Sequence, residues 1–421
     1  MNQPHKLIIS NTAVQLVGKL INTSVDLLVT LLITRFLGAS TYGDFTKTFT
    51  LVTLLYLFLD FGFNAIIVRR LGHKPKSLTS EFSTLLSTRL AYAFMLFTLL
   101  CLFLLLTPTT AATGYTPQVK LAIFIFGLSL FSQAIFTSVN ALFQHHLHYL
   151  PVVISGNLGT LLGLVAVILS LLFSPGLLTL VSAHLFGSFI MAITSLVFVS
   201  RLTRPSLTLN FAASLRLISE TLPVGLMLFL NALMIRLDNI IVTLTRPTLE
   251  VGWLGLAYRI YDTLLILPLF FLNALYPILI REHKLNPPHF RHLVWRAGQL
   301  LFVTAFPLSL ILFFSTPLLT LFGPDMLPAA PALKILSFAL PIFFITSLLQ
   351  WTLIALHRER TLILAYAAGL LFNATVNIFA IPRWGYLSAA ITTGLTELIV
   401  LSLLILPVLK SFSLTNQLTN H

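Results

Sequence analysis

The sequence predicts an all-α integral membrane protein of about twelve transmembrane helices, and three observations lead to this prediction. Hydrophobic residues make up 57% of the 421 residues, the mean hydropathy is +0.96, and only 9% of residues are charged. Soluble chains average about 45–50% apolar and about 25% charged residues. The apolar residues form continuous runs of about 20 residues, whereas strands of a membrane barrel would alternate over about 10. Since lipid cannot hydrate unpaired backbone groups, these runs must be helices.

Twelve apolar runs follow one another along the chain, separated by short turns that contain Pro, Gly or charged residues. They lie near residues 8–34, 45–68, 82–107, 119–143, 150–173, 177–200, 217–244, 253–280, 297–322, 333–355, 361–381 and 385–409.

The distribution of Lys and Arg predicts the orientation of these helices, because cytoplasmic loops carry the excess of positive charge. With the N-terminus inside, sixteen Lys and Arg residues fall on the inner side and six on the outer side. The inner group includes Arg89, and the outer group includes Lys47. Both termini are therefore expected to be cytoplasmic.

A weak internal duplication predicts two lobes of six helices each. Tyr42-Gly43-Asp44-Phe45 follows the first run, and Val251-Gly252-Trp253-Leu254 follows the seventh, about half a chain later. The predicted lobes comprise residues 1–205 and 206–421. Transporters built from repeats place their substrate path between such halves.

Two helices carry polar residues at the helical spacing of three and four, which puts them on one face. A polar face can line a transport path, or it can hydrogen-bond to a neighbouring helix. For the fourth helix both interpretations stay open, whereas the charges on the first helix favour a path. The first face comprises Asn11, Gln15, Lys19, Asn22, Asp26, Thr30 and Thr34, and the second comprises Gln133, Thr137, Asn140 and Gln144.

Seven charged residues fall near the middle of predicted helices, where each costs about 2.5–3.5 kcal/mol on the insertion scale. They are Lys19, Asp26, Arg236, Asp238, Arg259, Asp262 and Glu397. One interpretation is structural ion pairing between helices. The other is a polar cavity: its three cations would suit an anion, since Arg binds phosphate oxygens bidentately. The four carboxylates would pair with these cations or bind a coupling ion, H⁺ or Na⁺.

The sequence carries no signature of an enzyme, a cofactor site or a nucleic-acid-binding domain. No phosphate-binding loop, nucleophile elbow, zinc motif or dinucleotide loop is present. Cys101 is the sole cysteine, and His145-His146-Leu147-His148 lacks nearby carboxylates or cysteines, so it is interpreted as an interfacial segment rather than a metal site. No catalytic residue, metal or cofactor is therefore predicted. The predicted outer loops are also too short for a catalytic domain.

Three stretches resemble the polysaccharide flippases of the multidrug/oligosaccharidyl-lipid/polysaccharide exporter superfamily, and their order covers nearly the whole chain. The first holds Arg35-Phe36-Leu37-Gly38, Tyr42-Gly43, Asp60-Phe61-Gly62 and Val68-Arg69. The second holds Pro223, Arg236-Leu237-Asp238, Val251-Gly252, Ala257-Tyr258-Arg259 and Leu267-Pro268. The third holds Asn373-Ala374-Thr375-Val376-Asn377, Ile381-Pro382-Arg383-Trp384-Gly385, Ala389-Ala390 and Glu397.

This resemblance implies a V-shaped pair of six-helix lobes that alternate between inward and outward openings. It also implies the translocation of undecaprenyl-pyrophosphate-linked oligosaccharides across the bacterial inner membrane, for cell-surface polysaccharides such as the O-antigen of lipopolysaccharide. Lys19, Arg236 and Arg259 occupy positions where the family has cationic cavity residues. One departure is the scarcity of acidic residues in the turn after Gly38, where family members often carry Glu.

The function predicted from the sequence is therefore a lipid-linked oligosaccharide flippase, working on membrane lipid and with a polysaccharide polymerase as a partner to be tested. The nearest alternative is an ion-coupled multidrug antiporter of the same superfamily, for which a more acidic or aromatic cavity is expected. A membrane polysaccharide polymerase or ligase is disfavoured by the short outer loops. A membrane scaffold without transport activity is disfavoured by the charges inside the helices.

Overall fold

The computed structural model describes residues 3–64, 66–67, 70, 78–110, 113–145, 148–203 and 210–418, and these residues are almost entirely helical. Arg69 and His146 of the sequence analysis lie outside them. The chain divides into two compact units, Met1–Ala232 and Leu233–His421. The predicted lobes at 1–205 and 206–421 stay a prediction.

Unit 1 contains six helices and the first part of a seventh. They are α1 Gln3–Asp60, α2 Leu78–Leu106, α3 Pro117–Gly127, α4 Ser129–His145, α5 Leu150–Phe173, α6 Leu177–Ser200 and α7 Phe211–Thr245.

Unit 2 continues from within α7 and contains the remaining helices. They are α8 Thr248–Leu264, α9 Ile266–Leu285, α10 Pro287–Phe313, the short α11 Thr316–Leu319, α12 Ala329–Ala355, α13 Glu359–Trp384 and α14 Tyr386–Leu418. Two 3-10 turns, Thr320–Phe322 and Pro324–Met326, connect α11 to α12.

The prediction of an all-α membrane protein is confirmed. Within the described residues, ten helical segments are long and apolar enough to span a bilayer. The first of these, Ala13–Asp60, contains two helices, because Gly38 interrupts α1 with φ 77° and ψ 178°. α7 is 35 residues long and lies outside the ten. The helices thus occupy the predicted positions, while the number of twelve spans stays a prediction.

Glycines allow α5 and α6 to approach closely, and this pair forms the most extensive helix contact of unit 1. A Cβ atom on Gly159 would lie 2.6 Å from the carbonyl oxygen of Gly187, and one on Gly187 would lie 3.0 Å from the Cα of Gly163. Lipid tails are as apolar as leucine, so membrane helices associate through such close packing of small residues. These glycines therefore set the distance between the two helices.

The central helix of unit 2 is α12, which contacts α8, α9, α10, α13 and α14. α8 and α9 are separated at Leu265, three residues before Pro268. Proline removes a backbone donor, and its ring clashes with the carbonyl four residues earlier, which here belongs to Leu264. The run predicted at 253–280 is therefore two helices rather than one.

Two of the motifs quoted above meet at one end of unit 2. Arg246 binds both carboxylate oxygens of Glu250 through its Nε, at 3.1 and 3.0 Å. Glu250 Oε2 accepts a 3.0 Å hydrogen bond from the backbone N–H of Tyr386, the first residue of α14. The carboxylate accepts a hydrogen bond from one of the unpaired N–H groups at the N-terminus of α14. Its negative charge is also stabilised by the partial positive charge at that end of the helix. Trp253 also contacts Tyr386, with ring centroids 5.6 Å apart.

Gly385 joins α13 to α14 and has the geometry that only glycine adopts readily. Its φ is +75°, and a Cβ atom there would lie 2.8 Å from Glu250 Oε2. We predict that Gly385→Ala destabilises the protein by about 1–3 kcal/mol, because the backbone is strained and the carboxylate must move. Thermal melting of the purified protein in detergent measures the effect.

Gly394→Ala, in the adjoining helix α14, is the control, since its Cβ atom would meet Ala339 Cβ at an ordinary 3.7 Å. Equal melting temperatures for the two variants would contradict the role assigned to Gly385.

Candidate functional site

The polar face of α1 is open at one end and packed at the other. Gln15, Lys19 and Asp26 are exposed in the structure and Asn22 is half-buried. Thr30 and Thr34, in contrast, are buried and donate hydrogen bonds to carbonyl oxygens of their own helix, Asp26 O at 2.9 Å and Leu31 O at 3.1 Å. Thr30 and Thr34 thus bond within their own helix, and a path along the rest of this face stays a prediction; the side chain of Asn11 lies outside the described ones.

The exposed face of α1 leads into a cavity of about 160 Å³ inside unit 1. Asp26 and Gln133, one residue from each predicted polar face, both line it. The complete lining consists of Val25, Asp26, Val29, Phe49, Tyr56, Phe126, Gln133, Gly159, Thr160, Gly163, Leu164, His184, Gly187, Ser188 and Met191. The two faces thus meet at one chamber, which favours a cavity over interhelical bonding at Gln133.

Aromatic rings surround His184 in this chamber. Its ring lies 5.3 Å from that of Phe45, 4.9 Å from that of Phe49 and 6.5 Å from that of Phe126. Phe49 and Phe126 stack on each other at 4.4 Å. The chamber therefore combines one carboxylate with several aromatic faces and neutral polar groups, which is a chemistry suited to a cation.

Lys47 and Arg89, which were counted with the outer and inner positive charges, are buried inside unit 1. Lys47 is 1% exposed, and its Nζ lies 3.3 Å from Asp44 Oδ1. Arg89 is 0% exposed in α2. Both residues fall within predicted apolar runs, 45–68 and 82–107, and that position was the signal that each needed a partner.

Arg89 joins three helical segments of unit 1. Its Nη2 lies 3.1 Å from Asp60 Oδ1 and 3.1 Å from Asn64 Oδ1, and its Nη1 lies 3.3 Å from Ser138 Oγ. The guanidinium also lies 5.2 Å from the ring centroid of Phe63. All of these contacts are made to groups of unit 1, so we assign Arg89 a structural role.

Removal of the carboxylate partner should destabilise this centre. We predict that Asp60→Asn costs about 1–3 kcal/mol, less than a fully buried pair would, because the Asp60 side chain is 40% exposed and the Asn64 and Ser138 contacts remain. Thermal melting in detergent is the measurement. Glu282→Gln is the control: its partner Arg281 is 68% exposed, so no measurable change is expected. Identical melting temperatures for both variants would disprove the structural role.

In unit 2, Asp238 is buried to 2% exposure among neutral donors. Its carboxylate accepts hydrogen bonds from the backbone N–H of Asn239 at 2.7 Å, from Thr393 Oγ1 at 3.3 Å and from the hydroxyl of Tyr258. Arg236 makes no ion pair with it within the described part of the chain. The direct hydrogen-bond partners of Asp238 are thus hydroxyl and amide groups, and its pairing with a cation or with a coupling ion stays a prediction.

A second set of buried polar residues in unit 2 involves Asn373 and Asn377. Both residues belong to a motif quoted in the sequence analysis, but they were not predicted as site residues. Asn377 Nδ2 donates to Asn373 Oδ1 at 3.0 Å, and Asn373 Nδ2 donates to Thr396 Oγ1 at 3.3 Å. Glu397 follows directly, is 8% exposed, and its Oε2 has no hydrogen-bond partner among the described residues. Neutral oxygen donors and carboxylates are the ligands of hard monovalent and divalent cations or of a proton.

Arg236 and Arg259 are the two predicted cations of unit 2, and both are half-buried, as is Asp262 on α8. Lys19 in unit 1 is exposed. Lys19 and Arg259 lie in helical segments long and apolar enough to span a membrane, and Arg236 lies on the 35-residue helix α7. A charge inside a membrane persists only with a polar partner or a wet surface. Within the described residues, no group of three or more His, Cys, Asp or Glu is arranged to hold a metal ion.

Comparisons with solved structures define the class of protein. The chain matches the lipid II flippase MurJ in an inward closed conformation with a TM-score of 0.76 and 16% identity, over 96% of this chain and 89% of that one. It matches an inward-facing multidrug resistance MATE transporter of the MOP superfamily with a TM-score of 0.75 and 14% identity, over 94% and 96%. A MOP superfamily transporter from Pyrococcus furiosus, described as having a binding pocket of reverse polarity, gives a TM-score of 0.68 and 15% identity, over 98% and 96%.

The fold is thus that of the MOP superfamily transporters. A sequence model described as "Polysaccharide biosynthesis protein" matches residues 8–283, and the chain belongs to this family. No curated protein matches the chain. The family predicted from the motifs is confirmed, and the fold is shared with a solved flippase and a solved transporter.

Proposed function

We propose that this protein is a flippase that moves undecaprenyl-pyrophosphate-linked oligosaccharides across the bacterial cytoplasmic membrane, with both termini in the cytoplasm. The product would serve the synthesis of cell-surface polysaccharide, such as O-antigen. Membership of the polysaccharide biosynthesis family and the fold shared with a lipid II flippase support the substrate class.

The observation that carries this proposal is the presence of three cations on the long helices α1, α7 and α8. Lys19, Arg236 and Arg259 are proposed to contact the pyrophosphate. Arg236 is half-buried and has no ion pair within the described part of the chain. An arginine held in this state at low dielectric presents its planar donor fork to phosphate oxygens.

The four acidic candidates would then divide between binding the coupling ion and balancing the charge of the cations. We assign Asp238 and Glu397 to binding the coupling ion, H⁺ or Na⁺, because Asp238 already collects neutral donors and Glu397 has an unoccupied buried oxygen. Asp26 and Asp262 lie on the same helices as Lys19 and Arg259 and are proposed to balance their charge.

The second candidate function is ion-coupled export of organic cations, and the chamber of unit 1 is the observation that favours it. Asp26 and the rings of Phe49, Phe126 and His184 would bind an ammonium group through charge and cation–π attraction. The fold, shared with MATE transporters, fits this function equally well.

Flipping measured in proteoliposomes tests the proposed substrate. With a fluorescent polyprenyl-pyrophosphate glycan, we predict that Arg259→Ala slows translocation by about 10- to 100-fold, since one charge-assisted hydrogen bond contributes about 1.5–3 kcal/mol. Lys19→Ala should also reduce the rate. Arg216→Ala, which removes an exposed cation outside the proposed set, should flip at the wild-type rate.

Wild-type protein that moves organic cations but no lipid-linked glycan would support the second function instead. Normal flipping by Arg259→Ala, with wild-type flipping intact, would remove that residue from the site.

Ion coupling is tested with the same vesicles under an imposed gradient of H⁺ or Na⁺. We predict that the driving gradient accelerates the wild type but not Asp238→Asn, because the amide removes the negative charge and keeps the shape. Asp325→Asn is the control, since Asp325 is exposed in a 3-10 turn and has no proposed role. Full gradient dependence in Asp238→Asn would exclude this residue as the coupling group.

A further inference from the structure

Four arginines gather at one end of unit 2 without acidic partners, and we call them the basic rim: Arg291, Arg296, Arg358 and Arg360. Arg291 and Arg296 lie in the first turns of α10, and Arg358 and Arg360 lie where α13 begins. None of the four side chains forms an ion pair or a side-chain hydrogen bond within the described part of the chain. The nearby carboxylate of Glu282 is already bound by Arg281 at 2.9 Å.

Helix register places Arg291 beside the turn that holds Arg358. α10 and α12 run antiparallel: Ser309 Oγ donates to Ser337 O at 2.5 Å, and a Cβ atom on Gly298 would lie 3.5 Å from Leu348 Cδ2. Moving one residue toward the N-terminus of α10 therefore corresponds to moving one residue toward the C-terminus of α12, so Arg291 is level with Ala355. Arg291 is seven residues from Gly298, which puts both on the face toward α12. Arg358 follows three residues after α12 ends.

An apolar strip continues from the basic rim along the same helix. Trp295, Phe302 and Phe306 are 55%, 51% and 53% exposed, and their spacing keeps them within one face of α10. The strip runs from a tryptophan near the arginines toward the middle of the helix. Tryptophan prefers the headgroup level of a bilayer, and exposed phenylalanines below it face acyl chains.

We propose that the basic rim and this strip bind one anionic phospholipid of the phosphatidylglycerol type. Arg291 and Arg358 hold the phosphate, Trp295 packs against the glycerol region, and an acyl chain lies along Phe302 and Phe306. Charge favours an anionic over a zwitterionic phospholipid, because the cationic group of a zwitterionic headgroup is repelled by the arginines. In the topology proposed above, this end faces the cytoplasm, but the site does not depend on which substrate the protein flips.

Native mass spectrometry of the purified full-length protein, titrated with phosphatidylglycerol or phosphatidylcholine of the same acyl chains, tests the proposal. The wild type is expected to bind the first phosphatidylglycerol about tenfold more tightly than phosphatidylcholine. R291Q/R358Q should lose that preference, whereas R35Q/R383Q, which removes two exposed arginines elsewhere, should keep it. Equal binding of both lipids by the wild type, or an unchanged preference in R291Q/R358Q, would overturn the site.

Two further measurements keep the proposal testable if R291Q/R358Q folds poorly. Brominated phosphatidylglycerol should quench wild-type tryptophan fluorescence, and W295F should lose that quenched component; no difference would count against the site. Displacement of phosphatidylglycerol by a polyprenyl diphosphate at equal concentration would overturn the phospholipid assignment and mark the face as a docking surface for the flipped substrate. The lipid-binding measurements and the flipping assay are independent, so a negative result for phosphatidylglycerol binding would not contradict the proposed flippase function.

Discussion

A bilayer offers no water to a backbone amide or a charged side chain, and both units of this protein are organised by that constraint. It makes the chain helical, because helices satisfy their own backbone groups. It also requires a partner for each polar side chain placed between helices. Arg89 shows the consequence most clearly: one fully buried guanidinium is bound by groups from the end of α1, the segment after it, and α4. Lys47 meets the same requirement within its own helix, through Asp44.

Charges that are satisfied inside the protein and charges that are not therefore have different meanings. Arg89 and Lys47 each have a carboxylate partner within unit 1, so these residues stabilise its helices. Arg236 has no ion pair among the described residues, and the buried Oε2 of Glu397 has no donor there. Incompletely satisfied groups in a membrane protein persist where a ligand, an ion or a conformational change completes them. This difference, rather than the number of charges, separates the structural set from the proposed transport set.

The motifs that carried the resemblance lie at the connections between helices of unit 2 as well as at the proposed transport residues. Gly385 permits the turn between α13 and α14. Glu250 accepts a hydrogen bond from the first backbone N–H of α14 and also binds Arg246. Such connections depend on backbone geometry and on a few polar contacts. A fold with TM-scores of 0.75–0.76 to solved transporters can therefore coexist with only 14–16% identity, because most lipid-facing positions require only an apolar side chain.

The sequence by itself determined the membrane class, the order of the helices, the family and the residues that needed a polar environment, because hydropathy and helical spacing are local properties. Only the tertiary structure decided which of those residues are satisfied and by what. Asp238 was expected to pair with a cation or to bind a coupling ion, and the structure shows hydrogen bonds to it from Tyr258 of α8 and Thr393 of α14. Arg89 was counted only as an inner positive charge, and the structure shows it fully buried. Partners so distant along the chain meet only through helix packing, which local hydropathy and spacing do not specify.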